Sequence, residues 1–402
     1  MASSTDDGRQ ILATALEGAK IEKDREADMN TTGYVSTPSY AGPGRLGDPR
    51  MTIGSDPRLN AKLKDILTSL GADKNQPPPF LESLKVDSSM EEIAETIGAT
   101  EAGMMPMYEN IPMELPEDNF EVELEISEKV IPGGDGQDMK LHIYRPAVRG
   151  AGPLPCIVYS HGGGMTIVPT MNRMHDRWAR SLAASGLVVV MVDFRNAWTK
   201  TGFNHFPAGL NDCAAAVKWV HSKREELNIK NIVLEGESGG GNLAIATALK
   251  ANREGWINQI DGVYGMIPYI SNAYGWTDQQ KLKKLPSLVE CNGYFLNQHY
   301  GAFMAYFYTP QFHDQQNPLA WPYWATVEDL KGLPPFMLSM DELDPLRDEG
   351  VAFARRLAEA GVSAKGSINL GIGHGFGFFL RGFAPEYFRA TIREVSAFAR
   401  SL

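Results

Sequence analysis

The sequence predicts an α/β fold with a mostly parallel central sheet, helices on both faces and a helical cap. Three observations carry that reading. From Leu154 onward, short apolar runs alternate with stretches of helical periodicity, the pattern of parallel βαβ units. The runs are continuously apolar, as in Leu187-Val-Val-Val-Met-Val192, so both faces of the sheet are expected to be covered. The run Asn231–Glu235 passes through Gly236-Glu237-Ser238-Gly239-Gly240 directly into a helical stretch, a context that holds a serine hydroxyl clear of the backbone.

Taken in order, residues 1–43 form an N-terminal extension with one helical stretch, Arg9 to Ala27, before aperiodic sequence from Thr31 to Pro43. An ordered surface arm and disorder are both open there. Residues 44–115, the N-terminal part of the cap, hold helical patterns at Asp56–Leu70 and Met90–Met105, separated by Gln76-Pro-Pro-Pro-Phe80. Residues 116–402 form the main domain. Glu121–Val130 and Asp138–Tyr144 alternate about Gly133-Gly134-Asp135-Gly136, the signal of an antiparallel hairpin. Strands are then expected at 154–160, 187–193, 231–235 and 261–267, with helices at about 172–185, 207–227 and 239–253. The helix over 207–227 should bury Leu210, Ala214, Val217 and Val220. Residues 270–325 interrupt the alternation with many aromatic rings. They are expected to insert over the C-terminal strand ends, where a minority of the rings line a pocket. Strands at Pro335–Met340 and Val362–Leu370 precede a last helix that buries Phe388, Ile392, Val395 and Phe398.

Length and composition bound the function. A chain of 402 residues can bury a large core, and one catalytic domain with a lid suffices. The net charge of −11 disfavours nucleic acid and anionic membrane as partners. Cys156, Cys213 and Cys291 show none of the metal spacings and read as reduced thiols. The first residues carry no apolar signal segment, and no run approaches 18 apolar residues. A soluble, cytoplasmic protein is therefore expected, without cofactor or metal.

Two glycine-rich turns carry chemistry. Ser238 is a candidate nucleophile, although a serine there also serves simply as a helix cap. His161-Gly162-Gly163-Gly164 follows the apolar run 154–160. Amides of Gly163 and Gly164 can approach an oxyanion because glycine has no side chain, and the Gly239 amide would be a third donor. A phosphate loop is the alternative, but the Lys-Ser/Thr it needs is missing. If the acid and base follow the serine in chain order, the base is His299, His313 or His374. His374 stands directly after a strand-like run; the other two lie in the aromatic segment, where packing or surface roles fit better. For the acid, Asp341, Glu342, Asp344 and Asp348 compete. Asp344 is favoured over Glu342 by spacing, but it also reads as an N-cap with Pro345 at the first helical position, and Asp348 reads as a first-turn charge.

These motifs, together with Phe194-Arg-Asn, His205-Phe-Pro-Ala-Gly-Leu-Asn-Asp-Cys213, Asp344-Pro-Leu-Arg-Asp348 and His374-Gly-Phe376, resemble the hormone-sensitive-lipase-like group of α/β-hydrolase carboxylesterases. The resemblance runs from about Gly42 to the C-terminus. It implies Ser238 as nucleophile, Asp344 as acid, His374 as base, and Gly163, Gly164 and Gly239 as oxyanion donors. Many members have Asp-Ser-Ala at the elbow, where this chain has Glu237-Ser238-Gly239. The mechanism survives that departure because Gly239 contributes only its N–H.

The expected function is therefore a serine carboxylesterase acting on short- to medium-chain or lactone-type esters through an acyl-enzyme. An amidase or peptidase would use the same triad, and plant gibberellin receptors share the family but lack the catalytic histidine. The expected partner is a small-molecule ester, with neither nucleic acid nor membrane; a homodimer is left open. Activity should fall on the acid side, because a protonated His374 cannot accept the serine proton. Removing residues 1–40 should leave catalysis nearly unchanged.

Overall fold

A computed structural model describes residues 4–31, 42–77, 83–116, 118, 122–147 and 152–402. The expectations for residues 32–41, for the Pro78–Phe80 break and for Glu121 lie outside the described residues. Three helices open the chain: α1 (Ser4–Thr31), α2 (Ala61–Ser69) and α3 (Met90–Asn110). The hairpin β1 (Leu124–Pro132) and β2 (Asp138–Pro146) leads into β3 (Leu154–Ser160), α4 (Arg173–Ala184) and β4 (Val188–Val192). A small ribbon, β5 (Trp198–Thr199) and β6 (Gly202–Phe203), precedes α5 (Ala208–Ser222), β7 (Ile229–Glu237), α6 (Gly239–Arg253) and β8 (Gly262–Met266). The insertion contributes α7 (Asp278–Lys284), α8 (Ser287–Glu290) and α9 (Gln298–Tyr308), followed by α10 (Val327–Leu330). The chain closes with β9 (Phe336–Leu343), α11 (Arg347–Glu359), β10 (Ala364–Gly373), α12 (Phe376–Phe379) and α13 (Pro385–Ser401).

Eight strands form one sheet in the order β1-β2-β4-β3-β7-β8-β9-β10, parallel from β4 to β10 and antiparallel at the β1–β2 and β2–β4 pairs. All five residues of β4 are buried, as its unbroken apolar run requires under helices on both faces. Two adjacencies position the site. β3 and β7 are neighbours, with Ser160 paired to Gly236, and β9 and β10 are neighbours, with Leu343 paired to Gly373. Loops at the C-terminal ends of each pair must therefore meet.

Several boundaries differ from the sequence reading. β9 runs three residues past Met340, so Asp341, Glu342 and Leu343 are strand and not loop. α5 stops at Ser222, and the Lys223–Asn228 segment turns into β7. α3 continues through Pro106 to Asn110, because burial of Tyr108 outweighs the lost amide bond. α11 begins at Arg347, two residues beyond the Asp344-Pro345 start expected of it. α1 differs most: Leu12, Ala15 and Ala19 are buried, and the helix packs along α9. Glu22 accepts hydrogen bonds from Arg45 and Asn292 and pairs with His299 Nε2 at 2.9 Å. The extension is thus docked from its first helix, which removes the ground for expecting its deletion to be silent. The stripe of one leucine and two alanines is too short and small to announce this in sequence.

Candidate active site

Ser238 stands between β7 and α6 with φ 55° and ψ −115°, a conformation uncommon for a residue with a Cβ. Such strain costs on the order of 1–3 kcal/mol and persists only where the surroundings impose it. Here the Ser238 amide donates to Met266 O at 2.9 Å, and its carbonyl accepts from the amides of Asn242 and Tyr269, each at 3.1 Å. The side chain makes no capping bond to α6. The turn needs its glycines: a Cβ on Gly240 would sit 1.8 Å from Ser160 O, and one on Gly236 would sit 2.4 Å from the Gly240 backbone.

The loop leaving β3 passes directly beside this turn. Gly163 and Gly164 adopt φ 99° and 61°, and a Cβ on Gly163 would meet Ile167 O at 2.2 Å. A Cβ on Gly239 would lie 2.6 Å and 2.5 Å from the amide nitrogens of Gly164 and Met165, so glycine at 239 lets the loop and the helix start close together. Among the described residues, none accepts a hydrogen bond from the amides of Gly163, Gly164 or Gly239. The Gly162 amide donates to Glu237 Oε1 at 2.6 Å. Burial pushes the Glu237 carboxyl up to about 8, so it is protonated at neutral pH. His161 stacks between His175 and Phe194, with ring centroids 4.9 Å and 4.4 Å away, and burial brings it down to about 4. It is a neutral packing ring that shapes the loop.

On the other strand pair, His374 Nδ1 lies 2.8 Å from Asp344 Oδ2. Asp344 is fully buried, and its Oδ1 accepts the Leu346 amide at 2.8 Å. The cap-like contact and the histidine contact therefore coexist on one carboxylate. The competing acids are occupied elsewhere: Glu342 Oε2 takes the Gly371 amide at 2.8 Å, and Asp348 accepts from the Ser287 amide and the Arg347 guanidinium. Asp341 Oδ2 accepts the Gly375 amide at 3.0 Å, and its Oδ1 accepts from Asn369. Burial, reinforced by the charge of Asp344, pushes Asp341 up to about 7. His299 is buried against Glu22 and His313 is exposed.

Ser238, His374, Gly163 and Gly164 line one pocket of ≈ 120 Å³. Met104 and Tyr108 of α3 close one side, and Tyr300, Gly301 and Met304 of α9 another. Of the rings crowded into 270–325, Tyr274, Phe295 and Tyr300 reach this pocket, whereas Phe303, Phe307 and Trp321 are buried in packing. The Phe194-Arg-Asn and His205–Cys213 motifs are structural: Arg195 forks onto Asp212 at 2.8 and 3.0 Å, and His205 Nδ1 lies 2.6 Å from Phe307 O. Sequence reasoning missed what Glu237 and Asp341 do. The available signals were a carboxylate beside the elbow serine and, for Asp341, its place on the strand that leads to Asp344.

A family model described as alpha/beta hydrolase fold matches residues 157–378. The chain is 31% identical over 286 residues to carboxylesterase NlhH of Mycobacterium tuberculosis (strain CDC 1551 / Oshkosh), covering 70% of this chain and 84% of that protein. Among solved structures, brefeldin A esterase, a bacterial homologue of human hormone sensitive lipase, is 46% identical with a TM-score of 0.86, covering 90% of this chain and 98% of its own. Esterase Est22 is 34% identical with a TM-score of 0.72, covering 87% and 99%.

Proposed function

Because the chain belongs to the hormone-sensitive-lipase-like α/β-hydrolases and is a carboxylic ester hydrolase, we propose that it works through an acyl-enzyme on Ser238. Ser238 Oγ attacks the ester carbonyl while His374 takes its proton, and Asp344 holds the imidazole through Nδ1–H and stabilises the imidazolium. The amides of Gly163, Gly164 and Gly239 receive the oxyanion, and among the described residues no acceptor already holds them. Collapse expels the alcohol with the proton from His374. Water then follows the same route and releases the acid, so ester plus water gives alcohol plus acid. The observation that carries this reading is the 2.8 Å Asp344–His374 contact in the pocket that also holds the strained Ser238. Hydrolysis of p-nitrophenyl acetate that persists in Ser238→Ala would overturn it.

The pocket supports a substrate class. A volume of ≈ 120 Å³ with apolar walls favours short- to medium-chain or compact lactone-type esters, each buried CH₂ adding about 0.8 kcal/mol until the wall is reached. We expect kcat/KM to rise from acetyl to about butyryl or hexanoyl p-nitrophenyl esters and then fall. Rapid hydrolysis of emulsified long-chain triglyceride would contradict an enclosed pocket. Among the described residues no helix is long and apolar enough to cross a membrane, and no group of His, Cys, Asp or Glu side chains is placed to hold a metal ion. Cys156, Cys213 and Cys291 are free and buried, which supports a cytoplasmic setting.

A further inference from the structure

A cavity larger than the one at Ser238 lies elsewhere among the described residues. A space of ≈ 320 Å³ lies between α1 and the insertion, many times the ~15 Å³ that one water needs. Five residues of α1 form one wall, and Trp276, Lys281, Val289, Gln298 and His299 are opposite. Lys281 is the unusual member. Only 2% of it is exposed, and among the described residues its ammonium makes no hydrogen bond or ion pair. Buried cations are ordinarily paired, because leaving water without a partner is costly. Two residues that line the cavity, Gln298 and His299, each hold a buried polar atom, Oε1 and Nδ1, that has no hydrogen-bond partner among the described residues. The acids nearby do not fill the gap: Glu22 is held by Arg45, Asn292 and His299, while Glu17 and Asp278 are exposed.

The geometry points to a second binding site for a small aliphatic monocarboxylate, with Lys281 taking the carboxylate and Ile21, Trp276 and Val289 taking the chain. The unpaired atoms say what is missing: an anion for Lys281 in a cavity that also offers apolar surface. Burial pushes the Lys281 ammonium down to about 8, against attraction from Asp278 and Glu22, as expected of a cation lacking a close counter-ion. A monocarboxylate is also what ester hydrolysis releases, so this site rests on the esterase reading and reports on its product. Gln298 lines both this cavity and the pocket at Ser238, so acid bound here acts on a wall of the catalytic pocket. α1 completes the site, which gives the docked extension a purpose beyond packing.

The test is butyrate titrated by calorimetry into full-length protein whose Ser238 carries a diethylphosphoryl group from diethyl p-nitrophenyl phosphate, so that the catalytic pocket is blocked. One butyrate per chain is expected, with Kd weakened at least tenfold in Lys281→Met. In unmodified wild type, butyrate should protect Lys281 from reductive methylation, read by peptide mass spectrometry, which keeps the test independent of the variant's folding. No binding, binding indifferent to Lys281→Met, absence of protection, or equal affinity for inorganic phosphate would each overturn the carboxylate site. Failure of the organophosphate to label Ser238 would instead count against the esterase mechanism.

Discussion

Around Ser238 the polar contacts of the candidate site come from backbone amides, whereas around His374 they come from side-chain carboxylates. On the β3–β7 side, Gly163, Gly164 and Gly239 present N–H groups, and at 163 and 239 added side chains would collide with neighbouring backbone at 2.2 to 2.6 Å. On the β9–β10 side, Asp344 holds His374 and Asp341 holds the amide of Gly375. The difference teaches what each half tolerates. The first is vulnerable to an added methyl group, the second to a changed charge. They share one device: a buried carboxyl, Glu237 or Asp341, pinned to a glycine amide beside the reactive loop.

The harshest break removes a proposed reacting group from either half. Ser238→Ala and His374→Ala should each lower kcat by at least the order of 10⁴, with the double variant scarcely worse than either, because the proposed triad acts as a unit. Additive losses in p-nitrophenyl ester kinetics would separate the halves and sink the shared mechanism. Next comes charge on the second half. Asp344→Asn should cost on the order of 10⁴ in kcat, while Glu342→Gln and Asp348→Asn should cost far less. Since Asp344 also takes the Leu346 amide, earlier melting is expected too. Melting without loss of kcat would leave Asp344 as a cap only.

Size on the first half ranks third. Gly163→Ala forces a Cβ toward Ile167 O and should lower kcat on the order of 10², with KM little changed, as for loss of one oxyanion donor. An unaltered kcat would mean that the Gly163 amide takes no part.

The smallest effects concern the two bracing carboxyls and appear in stability against pH. Both are raised in the folded protein, to about 8 for Glu237 and about 7 for Asp341, above unfolded values near 4. The folded state therefore binds more protons than the unfolded one. Their contribution is complete below about pH 4 and is lost as pH rises through 7 for Asp341 and 8 for Glu237. Glu237→Gln and Asp341→Asn keep an acceptor for the glycine amide but cannot titrate. Melting curves from pH 5 to 9 should show each variant gaining on the wild type as pH rises, and parallel curves would contradict the buried, protonated state.

Much of the fold was legible because its signals are local. The unbroken apolar run 187–192, the strand–glycine–helix context of Ser238 and the apolar spacing of Leu210, Ala214, Val217 and Val220 each follow from neighbours a few residues apart; the side chains of the run and of the four helix positions are all buried. Boundaries were less legible where packing overrode propensity, as with Tyr108 beyond Pro106. Position 239 was legible only in part. The motif proposes its N–H as an oxyanion donor, but that a side chain there would press on Gly164 and Met165 cannot be read from it.

The sequence by itself determined the order of strands and helices and placed a serine and a glycine-rich loop at strand ends, because apolar periodicity and glycine conformational freedom are properties of short segments. Only the tertiary structure decided which carboxylate meets His374. Asp341, Glu342, Asp344 and Asp348 lie within eight residues of one another, and spacing favours Asp344 over Glu342 without excluding the others. In a strand, successive side chains point to opposite faces, and pairing with β10 fixes which of them faces the histidine loop. That alternation and register send Asp341 to the Gly375 amide and Glu342 to the Gly371 amide, and leave Asp344, just past the strand end, against His374.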